Sequence, residues 1–226
     1  MLDKIYIIHY TKLKERWRHM HMEMMKWFPK VPFEFIEVFD QEELTEKIIQ
    51  ENFEPEKYQA KFGRPFSRGE MSLCLKFKEC FKRISSSPGE HFLVLEDDVV
   101  FKEDPLKYIS RIVTKCNNEN INFDCVFMGE AAMRVGDNRD VFFKIENQNP
   151  TNGLCTVLYK KDAATRLSQD LENRKITQAM DWQFNDIFKE LSFDVYWGKA
   201  ITKHGSVLAT TGTEYQSLKS SLREGY

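Results

Sequence analysis

Three adjacent carboxylates, Glu96-Asp97-Asp98, follow the unbroken apolar run His91-Phe92-Leu93-Val94-Leu95 and precede Val99-Val100-Phe101. Neighbouring negative charges repel, so a chain that sets them where a buried strand ends calls for a cation there. Hard divalent ions take oxygen ligands, and Mg2+ or Mn2+ typically uses one or two carboxylates together with substrate phosphates. In open α/β sheets the ligand crevice lies at the carboxyl ends of strands, which is where this cluster falls. The alternative is a solvated acidic turn with a capping task; apolar segments on both sides disfavour it.

The flanking sequence predicts the frame. Lys4 to His9 reads as a strand and Lys12 to Phe28 as a helix stopped by Pro29; Phe33 to Phe39 is a second strand. Gln41 to Phe62 is helix-prone but interrupted at Pro55. After Pro65 and Gly69, a long helix carries Met71, Cys74, Phe77, Phe81 and Ile84 at three- and four-residue spacing, the mark of a buried face. Asp104 caps a helix with Pro105 at its first position. Strands are expected at Phe123 to Met128, Leu154 to Tyr159 and Phe193 to Trp197, and helices at Asp162 to Leu171 and Thr177 to Leu191. Gly129 to Pro150 reads as a long loop with one short strand, Val141 to Ile145. The alternation predicts a single-domain α/β fold over residues 1–208, a Rossmann-like mixed sheet flanked by helices. Residues 209–226 are a polar tail or lid.

Composition narrows the partners. With 33 Lys+Arg against 35 Asp+Glu the net charge is −2, which argues against a general nucleic-acid coat. No apolar run reaches the ~18 residues of a membrane span, and the N-terminus lacks the pattern of a secretory signal, so a cytoplasmic protein is expected. Cys74, Cys80, Cys116, Cys125 and Cys155 form no C-x-x-C pair and read as reduced, buried thiols. Neither G-x-x-x-x-G-K-[ST] nor G-x-G-x-x-G occurs, which disfavours P-loop and dinucleotide chemistry.

Leu93-Val94-Leu95-Glu96-Asp97-Asp98-Val99 resembles the LEDDV segment of glycosyltransferase family 25, the lipopolysaccharide biosynthesis and collagen galactosyltransferase type. Other segments follow in the family's order. Ile5 to Tyr10 with Glu15-Arg16 resembles its opening segment, Arg68-Gly69-Glu70-Met71-Ser72-Leu73-Cys74-Leu75 its "GEIGCALSH" helix start, and Met180-Asp181-Trp182 its late hydrophobic-Asp-Trp segment. Lys76-Phe77 stands where the family has Ser-His, and His9-Tyr10 where it has Asn-Leu.

The resemblance implies an A-type glycosyltransferase fold that transfers a hexose or deoxyhexose from a nucleotide sugar, UDP-linked by expectation, to a glycan or glycoconjugate acceptor with inversion. Mn2+ or Mg2+ would act as Lewis acid for the departing diphosphate. On that basis Asp98 is the direct metal ligand, Glu96 and Asp97 orient ribose or metal-bound water, Glu96 also counts among the metal residues, and His204 in Lys203-His204-Gly205-Ser206 is a further ligand following the last strand. Asp181 is the general base, in a helix that Thr177 can cap; ordinary capping is its bland alternative. His9, Tyr10, Thr11 and Arg16 would bind the nucleotide, with Arg68 and Glu70 touching the donor or capping their helix. Arg16 otherwise belongs to a solvated basic face with Lys12, Lys14 and Arg18. His19-x-His21 among methionines reads as an ordinary helix face. Two rivals are a nucleotidyltransferase, which would want a glycine-rich loop after the first strand, and a catalytically inactive carbohydrate-binding domain of the same fold.

Overall fold

A computed structural model describes residues 1–129, 142–146, 153–205 and 218. In chain order these form β1 (Lys4–Ile8), α1 (Lys14–Trp27), β2 (Phe33–Ile36), α2 (Glu46–Asn52), α3 (Pro55–Phe62), α4 (Arg68–Ser86), β3 (His91–Glu96) and β4 (Val99–Phe101). There follow α5 (Pro105–Asn118), β5 (Cys125–Gly129), β6 (Phe143–Lys144), β7 (Thr156–Lys160), α6 (Lys161–Asn173), α7 (Met180–Glu190) and β8 (Val195–His204).

The strands make one eight-stranded mixed sheet in the order β2-β1-β3-β7-β5-β8-β4, with β6 also on β8. β1 is parallel to β2 and β3, β7 runs against β3 and β5, and β5 is parallel to β8. The carboxyl ends of β1, β3, β5 and β8 therefore share one edge, where a crevice forms. Side chains alternate across each strand, so both faces need cover. Tyr6, Phe92 and Val94 pack with Phe77, Phe81 and Ile84 of α4 and Phe184 and Phe188 of α7. Ile5, Ile7, Leu93 and Leu95 pack with Met20, Met24 and Phe28 of α1 and with Ile109, Ile112 and Val113 of α5. This double burial explains why the run before the acids is apolar without alternation.

Several boundaries move. β2 ends at Ile36, short of Phe39, because Phe39 adopts a φ of 62° that no strand accommodates. Val99–Phe101 is itself a strand and pairs antiparallel with the end of β8, Val99 opposite His204. The last strand continues past Trp197 to His204, so His204 ends a strand instead of following one. α7 begins at Met180, and Thr177 does not cap it: the N-cap is Ala179, and the Thr177 N–H donates to Gln183 Oε1 at 3.1 Å. Asp104 caps α5 with Pro105 at its start, as the sequence indicates. The five cysteines are free and buried. Of the expected strand at Val141 to Ile145, the described part contains Phe143–Lys144; Val141 and most of the surrounding loop lie outside the described residues, as does the 209–226 tail apart from Leu218. Among the described residues no helix is long and apolar enough to cross a membrane.

Candidate active site

The register that sets Ile8 opposite Glu96 brings the two strand exits together, His9-Tyr10-Thr11 after β1 and Asp97-Asp98 after β3. Asp97 faces inward. Its Oδ2 lies 2.7 Å from His9 Nδ1 and accepts a long 3.4 Å bond from the Tyr10 N–H, while Oδ1 accepts from Arg16 Nη1 at 2.6 Å. His9, Arg16 and Asp97 are all buried. Arg16 is thus no member of a solvated face; its other Nη donates to the Leu218 carbonyl at 2.8 Å and lies 3.8 Å from Asp98 Oδ2.

Asp98, also buried, turns toward His204. Its Oδ2 is 3.0 Å from His204 Nδ1, and the Nε2 of the same ring is 3.3 Å from Glu96 Oε2. Ligand atoms of Glu96, Asp98 and His204 all lie within 4.8 Å of one another. Burial alone would lower the His204 imidazolium, but bonds to Asp98 and Glu96 and their charge push it up to about 11. The ring proton is the local counter-charge. Two carboxylates and an imidazole make a mixed oxygen and nitrogen donor set, so the residues present fit a divalent cation, Mn2+ better than the oxygen-seeking Mg2+. Two glycines permit this convergence. The Gly205 N–H donates to the Asp98 carbonyl at 2.6 Å, and a Cβ there would collide with that oxygen and with Leu218. At Gly129 in β5 a Cβ would overlap Cys155 Sγ; near it the Thr156 and Thr202 hydroxyls of β7 and β8 meet at 2.7 Å.

The acids, His204 and the exit of β1 line one cleft. His9, Tyr10, Arg16, Glu96, Asp97, Asp98 and His204 line it, and α4 adds Gly69, Ser72, Leu73 and Lys76. Thr11 sits beside it with its N–H on Asp40 Oδ2 at 3.3 Å. Tyr10 Oη donates to Glu42 at 2.6 Å.

Asp181 occupies the first turn of α7 and is half-buried, its Oδ1 accepting the Trp182 N–H at 2.9 Å. Burial foremost, with the charges of Glu96 and Glu70 behind it, pushes this carboxyl up to about 6. It therefore shares the electrostatic neighbourhood of the acid cluster without lining the cleft itself. Trp182 is exposed, edge-on to Phe62.

Glu70 is occupied in holding its helix. With Ser67 it forms a reciprocal capping box, and it also takes bonds from Tyr58 at 3.0 Å and Arg64 at 2.9 Å. Burial opposes its charge, but the Arg64 and Ser67 bonds outweigh that and hold it at about 2. Arg68 donates to the Leu44 carbonyl and to Glu46. Neither Arg68 nor Glu70 lines the cleft.

Residues to which the sequence assigns no role complete the wall: Ser72 and Lys76 of α4, with Gln41 from the segment after β2; Asp40 stands behind it. Lys76 Nζ is 2.6 Å from Asp40 Oδ1, both groups buried. The available signal is a lysine within one turn of Phe77 on the apolar side of an amphipathic helix, where a charge calls for a partner.

The carboxyl edge of a mixed α/β sheet thus gathers three carboxylates, two histidines, Arg16 and Lys76 around one cleft. The chain belongs to glycosyltransferase family 25 (LPS biosynthesis protein), whose model matches residues 2–154. It is a glycosyltransferase. No curated protein matches it by sequence. Among solved structures it is similar to A197 from STIV, at 12% identity over 90% of this chain and 85% of that one, with a TM-score of 0.46. It is also similar to a glycosyltransferase involved in the glycosylation of the major capsid of PBCV-1, at 13% identity, 90% and 94% coverage and a TM-score of 0.45.

Proposed function

We propose that the protein transfers a hexose or deoxyhexose from a nucleotide sugar, UDP-linked by preference, to a hydroxyl of a glycan or glycoconjugate, with inversion at the anomeric carbon and with Mn2+ or Mg2+ bound. The observation that carries this is the convergence of Glu96, Asp98 and His204 beside the cleft. A divalent cation held there would supply Lewis-acid stabilisation to the departing diphosphate.

The chain's own residues do the rest. Asp98 and Glu96 provide anionic oxygens, and His204 gives up its ring proton to become a nitrogen donor. Arg16 neutralises Asp97 and draws it away from the donor set, so the net charge at the cleft remains compatible with a diphosphate. His9, Tyr10 and Thr11 form the floor on which the nucleoside rests. Asp181 accepts the proton of the attacking hydroxyl; burial tunes its carboxyl toward neutral pH, where a base works best.

The test is a transfer assay with UDP- and GDP-sugars, with and without Mn2+, in which NMR reads the anomeric configuration of the product. Metal-dependent turnover with inversion, lost in Asp181→Asn while donor binding persists, supports the proposal. Turnover that ignores divalent cations, or a retained configuration, overturns it.

A further inference from the structure

One stripe of α4 carries three polar side chains at four-residue spacing, Arg68, Ser72 and Lys76, and each donates to a backbone carbonyl of the segment that follows β2. Arg68 Nη1 reaches Leu44 O, Ser72 Oγ reaches Phe39 O at 2.6 Å, and Lys76 Nζ reaches Val38 O at 2.8 Å. Side chains four apart on a helix lie one above the other, so the three form a single clamp along the segment. Lys76 adds its ion pair to Asp40, whose other oxygen takes the Thr11 N–H and hydroxyl from the β1 exit.

What the clamp holds is a backbone that does not favour its own shape. Phe39 sits at a φ of 62°, a left-handed conformation that is unfavourable for a bulky residue and persists only where surroundings impose it. The constrained turn sets Gln41 in the cleft wall, with its Nε2 3.2 Å from Tyr10 Oη. A lysine and aspartate buried together are no better for stability than a well-packed apolar pair. Their presence at a ligand cleft, on the chain's own departure from the family's Ser-His, calls for a role in binding.

We infer that Arg68, Ser72 and Lys76 are positioning residues that fix the Val38–Leu44 segment as the nucleoside-binding wall of the cleft. Their hydrogen bonds run to the segment after β2 and to Glu46 and not to Glu96, Asp98 or His204, so they govern affinity for the nucleoside part of the donor and not for the cation. The inference rests on the proposed nucleotide-sugar reading.

Calorimetry on the full chain separates the two. UDP and GDP are titrated in the presence of Mn2+, and Mn2+ is titrated alone, into wild type, Ser72→Ala and Lys76→Met. Ser72→Ala removes one hydroxyl and keeps the fold even if Lys76→Met does not, which thermal melting checks. The expected result is nucleoside diphosphate affinity weakened about 5- to 20-fold in Ser72→Ala and more in a folded Lys76→Met, with Mn2+ affinity within about 2-fold of wild type. Donor KM should rise by a similar factor with kcat nearly unchanged. Wild-type affinity for the nucleotide in folded Ser72→Ala and Lys76→Met overturns the inference and leaves the functional proposal standing. Nucleotide and Mn2+ affinities that fall together also overturn it, since the effect is then general. A wild type that binds neither nucleotide overturns the functional proposal and the inference with it.

Discussion

Asp97 and Asp98 are neighbours in sequence and both are buried, yet they belong to different regions of the cleft. Around Asp97 the oxygens are taken up by His9, the Tyr10 amide and Arg16, a network that ties the exit of β1 to the exit of β3. Around Asp98 a carboxylate oxygen meets a histidine whose ring also faces Glu96. The first region is a completed structural joint; the second has the donor set of a cation site. A run of like charges therefore does not imply a shared task, because strand direction at a turn sends successive side chains to opposite environments.

The largest effect that would sharpen this contrast is in Asp98→Ala. Loss of the several kcal/mol that a bound cation contributes should lower metal-dependent turnover about 10³-fold, read by initial rates across Mn2+ concentrations. Asp97→Ala should instead act on the fold. Removing it leaves Arg16 buried without its main partner, so urea unfolding should show a loss of about 3–5 kcal/mol, larger than for Asp98→Ala. Equal destabilisation by the two substitutions would break the distinction.

Asp181 offers a third carboxylate with a separate signature. Asp181→Asn should lower kcat about 10²-fold or more and leave donor affinity near wild type. The same substitution should raise stability at pH 7. A carboxyl whose folded value is lifted from 3.8 to about 6 binds its proton more tightly folded than unfolded, so stability falls as pH rises through that interval, and the full penalty, up to about 3 kcal/mol, is present above it. Asparagine carries no such penalty. The smallest effect is in the pH profile. As general base Asp181 must be ionised, so kcat/KM at saturating Mn2+ should rise with pH through about 6, and the residual rate of Asp181→Asn should lose that limb.

Much of the frame was legible in the sequence because local chemistry and tertiary structure agree there. Pro105 after Asp104 starts α5, and the three- and four-residue spacing from Met71 to Ile84 marks the buried side of α4. The strand exits at His9 and Asp97 follow from two apolar runs and the rule for parallel strands. What could not be read depends on partners distant in sequence. Phe39 looks like a strand residue until Ser72 and Lys76 hold its turn, and β8 outlasts its apolar pattern because Thr202 and His204 find partners on β4. Of the residues expected at the site, His9, Tyr10, Arg16, Glu96, Asp97, Asp98 and His204 come together in the cleft. Glu70 and Arg68 bind the protein's own helix start and loop, a distinction that side-chain type alone does not make.

The central claim is that Asp98, with Glu96 and His204, ties donor binding to a divalent cation while Asp97 does not. Isothermal titration of a UDP-sugar into wild type and Asp98→Ala, each with Mn2+ and with a chelator, tests it most directly. The account predicts binding in wild type only with Mn2+ and none in folded Asp98→Ala under either condition. Binding of equal strength without the cation, or in Asp98→Ala, would contradict it.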